Sequence, residues 1–221
     1  MEPGKNGKIF AIGDIHGCYD KLRRLMERLP YDPKQDTLVF LGDYIDRGTR
    51  SRDVLSYLCQ LRAESPNVIM LIGNHEYLML EYHRTGDPEL LPFLRHLGID
   101  ATFDSYGVNN PQSLQKMLFL PEEHRQLLQA LLPYWETEDY IFVHAGLEYN
   151  LPLDQQDLSS LCEARTTFLS EEHDYGKLVI FGHTAFDLPF VTSTRIGIDT
   201  GAVYGNLLTA LELPALVFHH A

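Results

Sequence analysis

Five short motifs carry the polar chemistry of this chain: GDIHG (13–17), GDYIDRG (42–48), GNHE (73–76), HAG (144–146) and GHT (182–184). Each sets Asp, Asn or His beside glycine, and each follows an apolar run: KIFAI, TLVFL, NVIMLI, YIFV or KLVIF. An unpaired charge at the end of a buried strand is expensive. A turn with a surface ion pair would account for one such motif, because Gly and Asp are common turn formers. It does not account for five. In α/β sheets, ligands gather outside the carboxyl ends of strands, so Asp14, His16, Asp43, Asn74, His144 and His183 are expected to converge. Carboxylate, amide and imidazole donors with no thiolate suit Mn, Fe, Zn or Mg. Six such donors exceed one four-coordinate site, so a two-metal centre is expected, with one carboxylate bridging ions about 3.5 to 4 Å apart. Such a centre makes hydroxide from water near neutral pH and clamps the oxygens of an in-line displacement, with attack on phosphorus favoured. Arg47 then serves as a bidentate phosphate ligand. Asp46 is placed to orient a histidine that protonates the leaving oxygen, and His75, next to Asn74, is the candidate acid.

The elements that must position these residues read as βαβ units, short β-branched runs alternating with helical patterns. The first strand covers residues 8–12, and Leu22, Leu25, Met26 and Leu29 repeat at one-face helical spacing after it. The second strand covers 37–41, with a helix over 51–61; the third covers 67–72, with a helix over 75–82. Between Asp87 and Leu132 the pattern is helical and divided into short pieces by Pro92, Pro111, Pro121 and Pro133, which predicts a helical insertion or cap. From Tyr140 strands return, and the short connections between FVTS, RIGID and LLTALEL predict antiparallel pairing, so the second half is expected to be a mixed or antiparallel sheet joined to a parallel first half.

At 221 residues, 44% hydrophobic and 22% charged, the chain suits one α/β domain spanning residues 1–221. Its 31 acidic against 18 basic residues give a net charge of -13, which disfavours nucleic acid and anionic membrane as partners. An anionic substrate must therefore be held by local positive charge. No apolar run approaches bilayer length and the N-terminal segment has no signal-like core, so a cytoplasmic setting is expected. Cys18, Cys59 and Cys162 are far apart and read as reduced thiols; Cys18 is read as a small residue opening a helix. His83, His96, His124, His173, His219 and His220 are assigned no role.

Taken together, the five motifs resemble the phosphoprotein phosphatase family of metal-dependent serine/threonine phosphatases, bacterial and phage type, within the calcineurin-like metallophosphoesterases. The resemblance implies an α/β/β/α sandwich with a dinuclear site, hydrolysing phosphomonoesters by direct attack of a metal-bridging hydroxide. It implies Asp14 and His16 on the first metal, Asp43 as the bridge, and Asn74, His144 and His183 on the second. It further implies His75 with Asp46 as the general-acid pair, Arg47 and Arg165 as phosphate ligands, and Tyr204 near the substrate. The implied cofactors are two divalent ions, Mn first with Fe or Zn as alternatives, and the implied partner is a phosphorylated protein or peptide. Ala185 stands after GHT where many bacterial members have proline, which touches loop shape rather than ligation. No obligatory regulatory subunit is expected.

The nearest rival is a symmetrical diadenosine tetraphosphatase, a relative that shares GDIHG and GNHE but typically carries alanine at the position of Asp46. A broad small-molecule phosphoesterase is a second alternative, and a non-catalytic binding module using the 87–132 insertion is a third.

Overall fold

The computed structural model describes residues 7–108, 113, 115–164, 166–171 and 173–221. Its strands distribute consecutive apolar residues to opposite faces, as the two-residue period of a strand requires. In β1 (Ile9–Ile12), Ile9 and Ala11 enter one core while Phe10 and Ile12 enter another. β2 (Thr37–Phe40) does the same, with Val39 facing one way and Leu38 and Phe40 the other. This double burial explains why these runs are continuously apolar rather than alternating.

The first sheet is completed by β3 (Val68–Met70), β9 (Thr209–Leu213) and β10 (Val217–His220), in the order β10-β9-β1-β2-β3. The second has the order β4-β5-β6-β8-β7: β4 (Tyr134–Glu136), β5 (Tyr140–Val143), β6 (Leu178–Phe181), β7 (Phe190–Val191) and β8 (Arg195–Gly197). Ile9, Ala11, Val39 and Leu211 of the first sheet meet Phe142, Ile180 and Ile196 of the second, which makes the middle of a sandwich. On the outer face of the first sheet lie α1 (Tyr19–Arg28), α2 (Ser51–Glu64) and α3 (Asn74–Thr85). On the outer face of the second, Val179 and Phe181 pack against Leu161 and Phe168 of the short helices α7 (Leu158–Glu163) and α8 (Thr166–Ser170). The expected α/β/β/α layering is therefore present.

The expected helical insertion contains α4 (Leu90–Leu97), α5 (Ile99–Tyr106) and α6 (Glu122–Gln129). It does not stand apart as a cap. α4 packs on α3, while α5 and α6 pack on α2.

The second half is the expected mixed sheet: FVTS and RIGID pair antiparallel as β7 and β8, and β4 pairs antiparallel to β5, while the remaining pairings are parallel. β5 pairs with β6, and β6 with β8, in parallel. RIGID and LLTALEL are not partners, because a 3-10 turn (Ala202–Tyr204) flanked by left-handed Gly201 and Gly205 carries the chain from β8 into the other sheet. There β9 pairs antiparallel to β1. The edge strands β4 and β10 are too short and too polar to be read from apolar runs. Two histidines assigned no role lie in β10, where His219 bonds Glu212 and His220 bonds Thr209. His124 is buried, its ring between the hydroxyls of Ser56 and Tyr106. Cys18 caps the start of α1 and burial pushes its thiol up, as suits a packing residue. Among the described residues no helix is long and apolar enough to cross a membrane.

Candidate metal centre

The loops after β1, β2, β3, β5 and β6 deliver their polar residues to one place, and the backbone bends unusually to do it. Among the described residues, five of the eight non-glycine positions with positive φ are His16, Asp43, Asp46, Arg47 and His183. Each such position is disfavoured by about 1–3 kcal/mol and persists only where its surroundings over-determine it. Here they do. The Asp43 carbonyl accepts the N–H groups of Ile15 (3.0 Å) and His16 (2.8 Å), tying the first loop to the second. The buried Glu76 carboxylate accepts the N–H groups of Asp43 (3.0 Å), Tyr44 (2.9 Å), Ile45 (3.2 Å) and Gly73 (3.2 Å), tying the second loop to α3. Glycine is demanded by contact at two points. A Cβ on Gly73 would lie 2.1 Å from Asp43 Oδ1, and one on Gly182 would lie 2.2 Å from Asp14 Oδ1.

Asp43 is the junction of two donor groups. On one side Oδ2 lies 3.3 Å from His16 Nε2 and 3.8 Å from His75 Nε2; on the other Oδ1 lies 3.5 Å from His144 Nε2. His16, Asp43 and His75 form one triad able to hold a cation, and Asp43, His144 and His183 form the other. Asn74 belongs to the second group, its Oδ1 3.3 Å from His144 Nε2 and 3.1 Å from His183 Nδ1. Asp14 lies outside both triads. Its two oxygens accept the His183 backbone N–H at 3.1 and 3.0 Å, which joins the loop after β1 to the loop after β6.

The residues fit divalent cations on three counts. First, the imidazole tautomers are set from behind: His16 Nδ1 donates to the Ile45 carbonyl and His144 Nδ1 to the Leu41 carbonyl, each at 2.8 Å, which leaves the Nε2 lone pairs facing the site. Second, the His144 Nε2 lone pair and the Asn74 carbonyl oxygen, both acceptors, face one another. Third, the pocket is crowded with negative charge. Burial, with repulsion from Asp199 and Asp43, pushes Asp14 well above the usual carboxylate range. Burial also raises Asp199, while at Asp43 burial is outweighed by the imidazoles of His144, His75 and His16, which hold it well below that range. Burial pushes His144 down. Several carboxylates in a dry site call for cations.

Beside this floor stands a second device. Asp46 Oδ2 is 2.7 Å from His75 Nδ1, and both residues are fully buried. His75 Nε2 is buried and has no hydrogen-bond partner among the described residues, with Asp43 Oδ2 at 3.8 Å in front of it. Arg47 Nη1 donates to His16 Nε2 at 2.9 Å, and its guanidinium lies 5.5 Å from the ring centre of the exposed Tyr204. Arg165 lies outside the described residues. A cleft of about 350 Å³ opens beside the site, lined by Asn74, His183, Leu78, Phe93, Leu97 and Glu163. A larger cavity of about 670 Å³, beside Tyr149, Phe168 and Tyr175, contains none of the five motifs' described ligands.

This combination of donors, strand ends and layering coincides with a known family: the calcineurin-like phosphoesterase profile matches residues 7–187. The chain belongs to the calcineurin-like phosphoesterases. A symmetrical bis(5'-nucleosyl)-tetraphosphatase of Xanthomonas axonopodis pv. citri is 34% identical over 139 residues, which is 59% of this chain and 41% of the relative. The matched part of this phosphoesterase thus spans about two-fifths of that relative's length. A candidate diadenosine tetraphosphatase of known structure superposes with a TM-score of 0.71 at 22% identity, covering 99% of this chain and 95% of its own. A variant of a cold-active protein tyrosine phosphatase gives 0.70 at 20% identity, covering 98% and 78%. These superpositions establish the fold.

Three residues of this phosphoesterase site escape the sequence reading. Asp199, whose charge acts on Asp14, follows β8 as the candidate ligands follow their strands, and extending the strand-end rule to RIGID points to it. Glu76 is visible within GNHE, but its four backbone partners are not. Thr102, whose hydroxyl bonds the carboxylate and accepts the N–H of Asp46, carries no local signal at all.

Proposed function

We propose that this metallophosphoesterase hydrolyses phosphomonoesters whose leaving group is a poor one, with phosphorylated serine or threonine side chains of proteins as the substrate class. The observation that carries this reading is the buried Asp46–His75 pair, with Nδ1 held at 2.7 Å and Nε2 left free toward the site. An alkoxide leaves slowly unless it receives a proton as the bond to phosphorus breaks, and a positioned acid supplies roughly 10²–10⁴ in rate. A nucleotide leaving from a phosphoanhydride departs as a stable phosphate anion and gains far less from an acid.

In this reading Asp43 would be shared by two cations, His16 would serve one side, and Asn74, His144 and His183 the other, with Asp14 nearby. When bound, the cations would supply positive charge for the phosphoryl oxygens and bring the pKa of water toward neutrality. Mn is the first choice, with Fe and Zn compatible with the donors. Arg47 binds the phosphate. Its present partner, the His16 Nε2 lone pair, cannot serve a guanidinium and a cation at once. With His16 engaged by a cation, Arg47 would be left for the substrate, with Tyr204 beside it.

A second reading rests on the relatives. Their name, symmetrical bis(5'-nucleosyl)-tetraphosphatase, favours cleavage of a dinucleoside tetraphosphate more directly than it favours a phosphoprotein, over a match reaching 41% of the relative's length. Turnover with manganese on a phosphoserine peptide, p-nitrophenyl phosphate and diadenosine tetraphosphate separates the two. We expect the highest kcat/KM on the monoesters. Efficient cleavage of the dinucleotide alone would transfer the assignment to the second reading, and no turnover above the metal blank would leave a binding module.

A further inference from the structure

The pair that orients the proton donor is itself anchored from the helical insertion. Thr102, in α5, donates its hydroxyl to Asp46 Oδ1 at 2.6 Å. The same hydroxyl accepts the Asp46 backbone N–H at 2.9 Å. Asp46 has φ of 70°, a conformation disfavoured for a residue with a side chain, and Thr102 grips both its main chain and its carboxylate. Ser51, at the start of α2, closes the cluster, 3.2 Å from both the Asp46 nitrogen and the Thr102 hydroxyl. Asp46, Ser51, Thr102 and His75 are all fully buried, so no solvent competes for these bonds. Nearby, the Gly98 carbonyl at the α4–α5 junction accepts the Arg47 N–H at 3.2 Å.

We propose that Thr102 is a positioning residue for proton donation: by fixing Asp46 Oδ1 it turns Oδ2 to His75 Nδ1 and thereby aims His75 Nε2 at the leaving oxygen. A carboxylate can rotate about its Cβ–Cγ bond, and one bond to His75 alone would not fix its plane. Thr102 supplies the second point. A threonine hydroxyl has one proton to give and lone pairs to accept with, and both functions are used here. α5 is held in place by Ile99 and Phe103, buried in the same core as α2. The insertion is thus part of the apparatus that acts on the substrate. This inference rests on the reading of His75 as the acid.

The test compares Thr102→Val, which keeps the side-chain shape and removes both bonds, with Thr102→Ser, which restores the hydroxyl. Thr102→Ala serves the same comparison if the valine variant does not fold. With manganese, Thr102→Val should lower kcat on a phosphoserine peptide by roughly tenfold to a hundredfold, part of what a positioned acid is worth. On p-nitrophenyl phosphate, whose leaving anion needs no proton, kcat should fall less than threefold, and KM should hold on both. Thr102→Ser should recover the peptide rate. Independently, the proton NMR line of His75 Nδ1–H, recorded on zinc-loaded protein labelled at histidine nitrogen, should shift or exchange away in Thr102→Val and stay in Thr102→Ser. Equal losses on both substrates, or an unmoved His75 line, would overturn the proposal. Should the wild type fail to turn over the peptide, the substrate reading falls and the NMR comparison still decides the role of Thr102.

Discussion

The two groups that share Asp43 are built by different means. On the Oδ2 side, His16, Asp46 and Arg47 sit on loops of the first sheet, all three with positive φ, and His75 lies in the first turn of α3, the group being braced by Glu76, Ser51 and Thr102. On the Oδ1 side, His144 and His183 follow parallel strands of the second sheet, and a single carbonyl, that of Leu41, sets the His144 tautomer. The first side contains a free imidazole nitrogen and a guanidinium; the second contains an amide and imidazoles only. The difference separates two tasks. A cation anchor needs lone pairs in the right place, which strand ends supply here with one strained position, His183. Handling a substrate needs groups that can give a proton or bind phosphate without being ligated, and these need bracing from several elements.

The largest effect should come from the residue common to both sides. Asp43→Asn should abolish metal retention on either side and reduce turnover to that of metal-free protein, measured by elemental analysis and manganese-supported hydrolysis. His144→Ala should instead remove one equivalent; loss of both would mean that the two sides do not act separately. Next, His75→Asn should slow hydrolysis of alkyl monoesters by roughly 10²–10⁴ while metal content stays at the wild-type value. Metal loss in that variant would reassign His75 to the anchor. Arg47→Ala should reduce kcat/KM by roughly 10², the scale of one lost donor to a developing oxyanion, and weaken inhibition by free phosphate. Unchanged phosphate inhibition would remove Arg47 from the substrate side. The smallest effect is on stability. Burial and the Asp43 charge push Glu76 up to about 8, yet four backbone N–H groups point at its oxygens. Glu76→Gln sets an NH₂ against some of those donors and should lower urea-unfolding stability by about 1–3 kcal/mol; an unchanged midpoint would show that the loops are held by other means.

The asymmetry also explains what could be read in advance. The gathering of His16, Asp43, Asn74, His144 and His183 was legible because each follows an apolar run and strand direction places such residues together; Asp14 obeys the same rule yet lies outside both triads. Double burial of β1 and β2 was equally plain in their unbroken apolar runs. Sheet membership in the second half was not legible, since the short segment between RIGID and LLTALEL suits a hairpin as well as a crossing between sheets. Thr102 was invisible for a further reason. Its bond to Asp46 spans 56 residues and depends on how α5 packs on α2, and no local pattern records that.

The most direct test of Asp43 as the junction is anomalous diffraction from crystals grown with manganese. Two peaks about 3.5 to 4 Å apart, one against each Asp43 oxygen, with His16 at the first and Asn74, His144 and His183 at the second, are the predicted result. A single peak, or two peaks of which one does not touch Asp43, would contradict it.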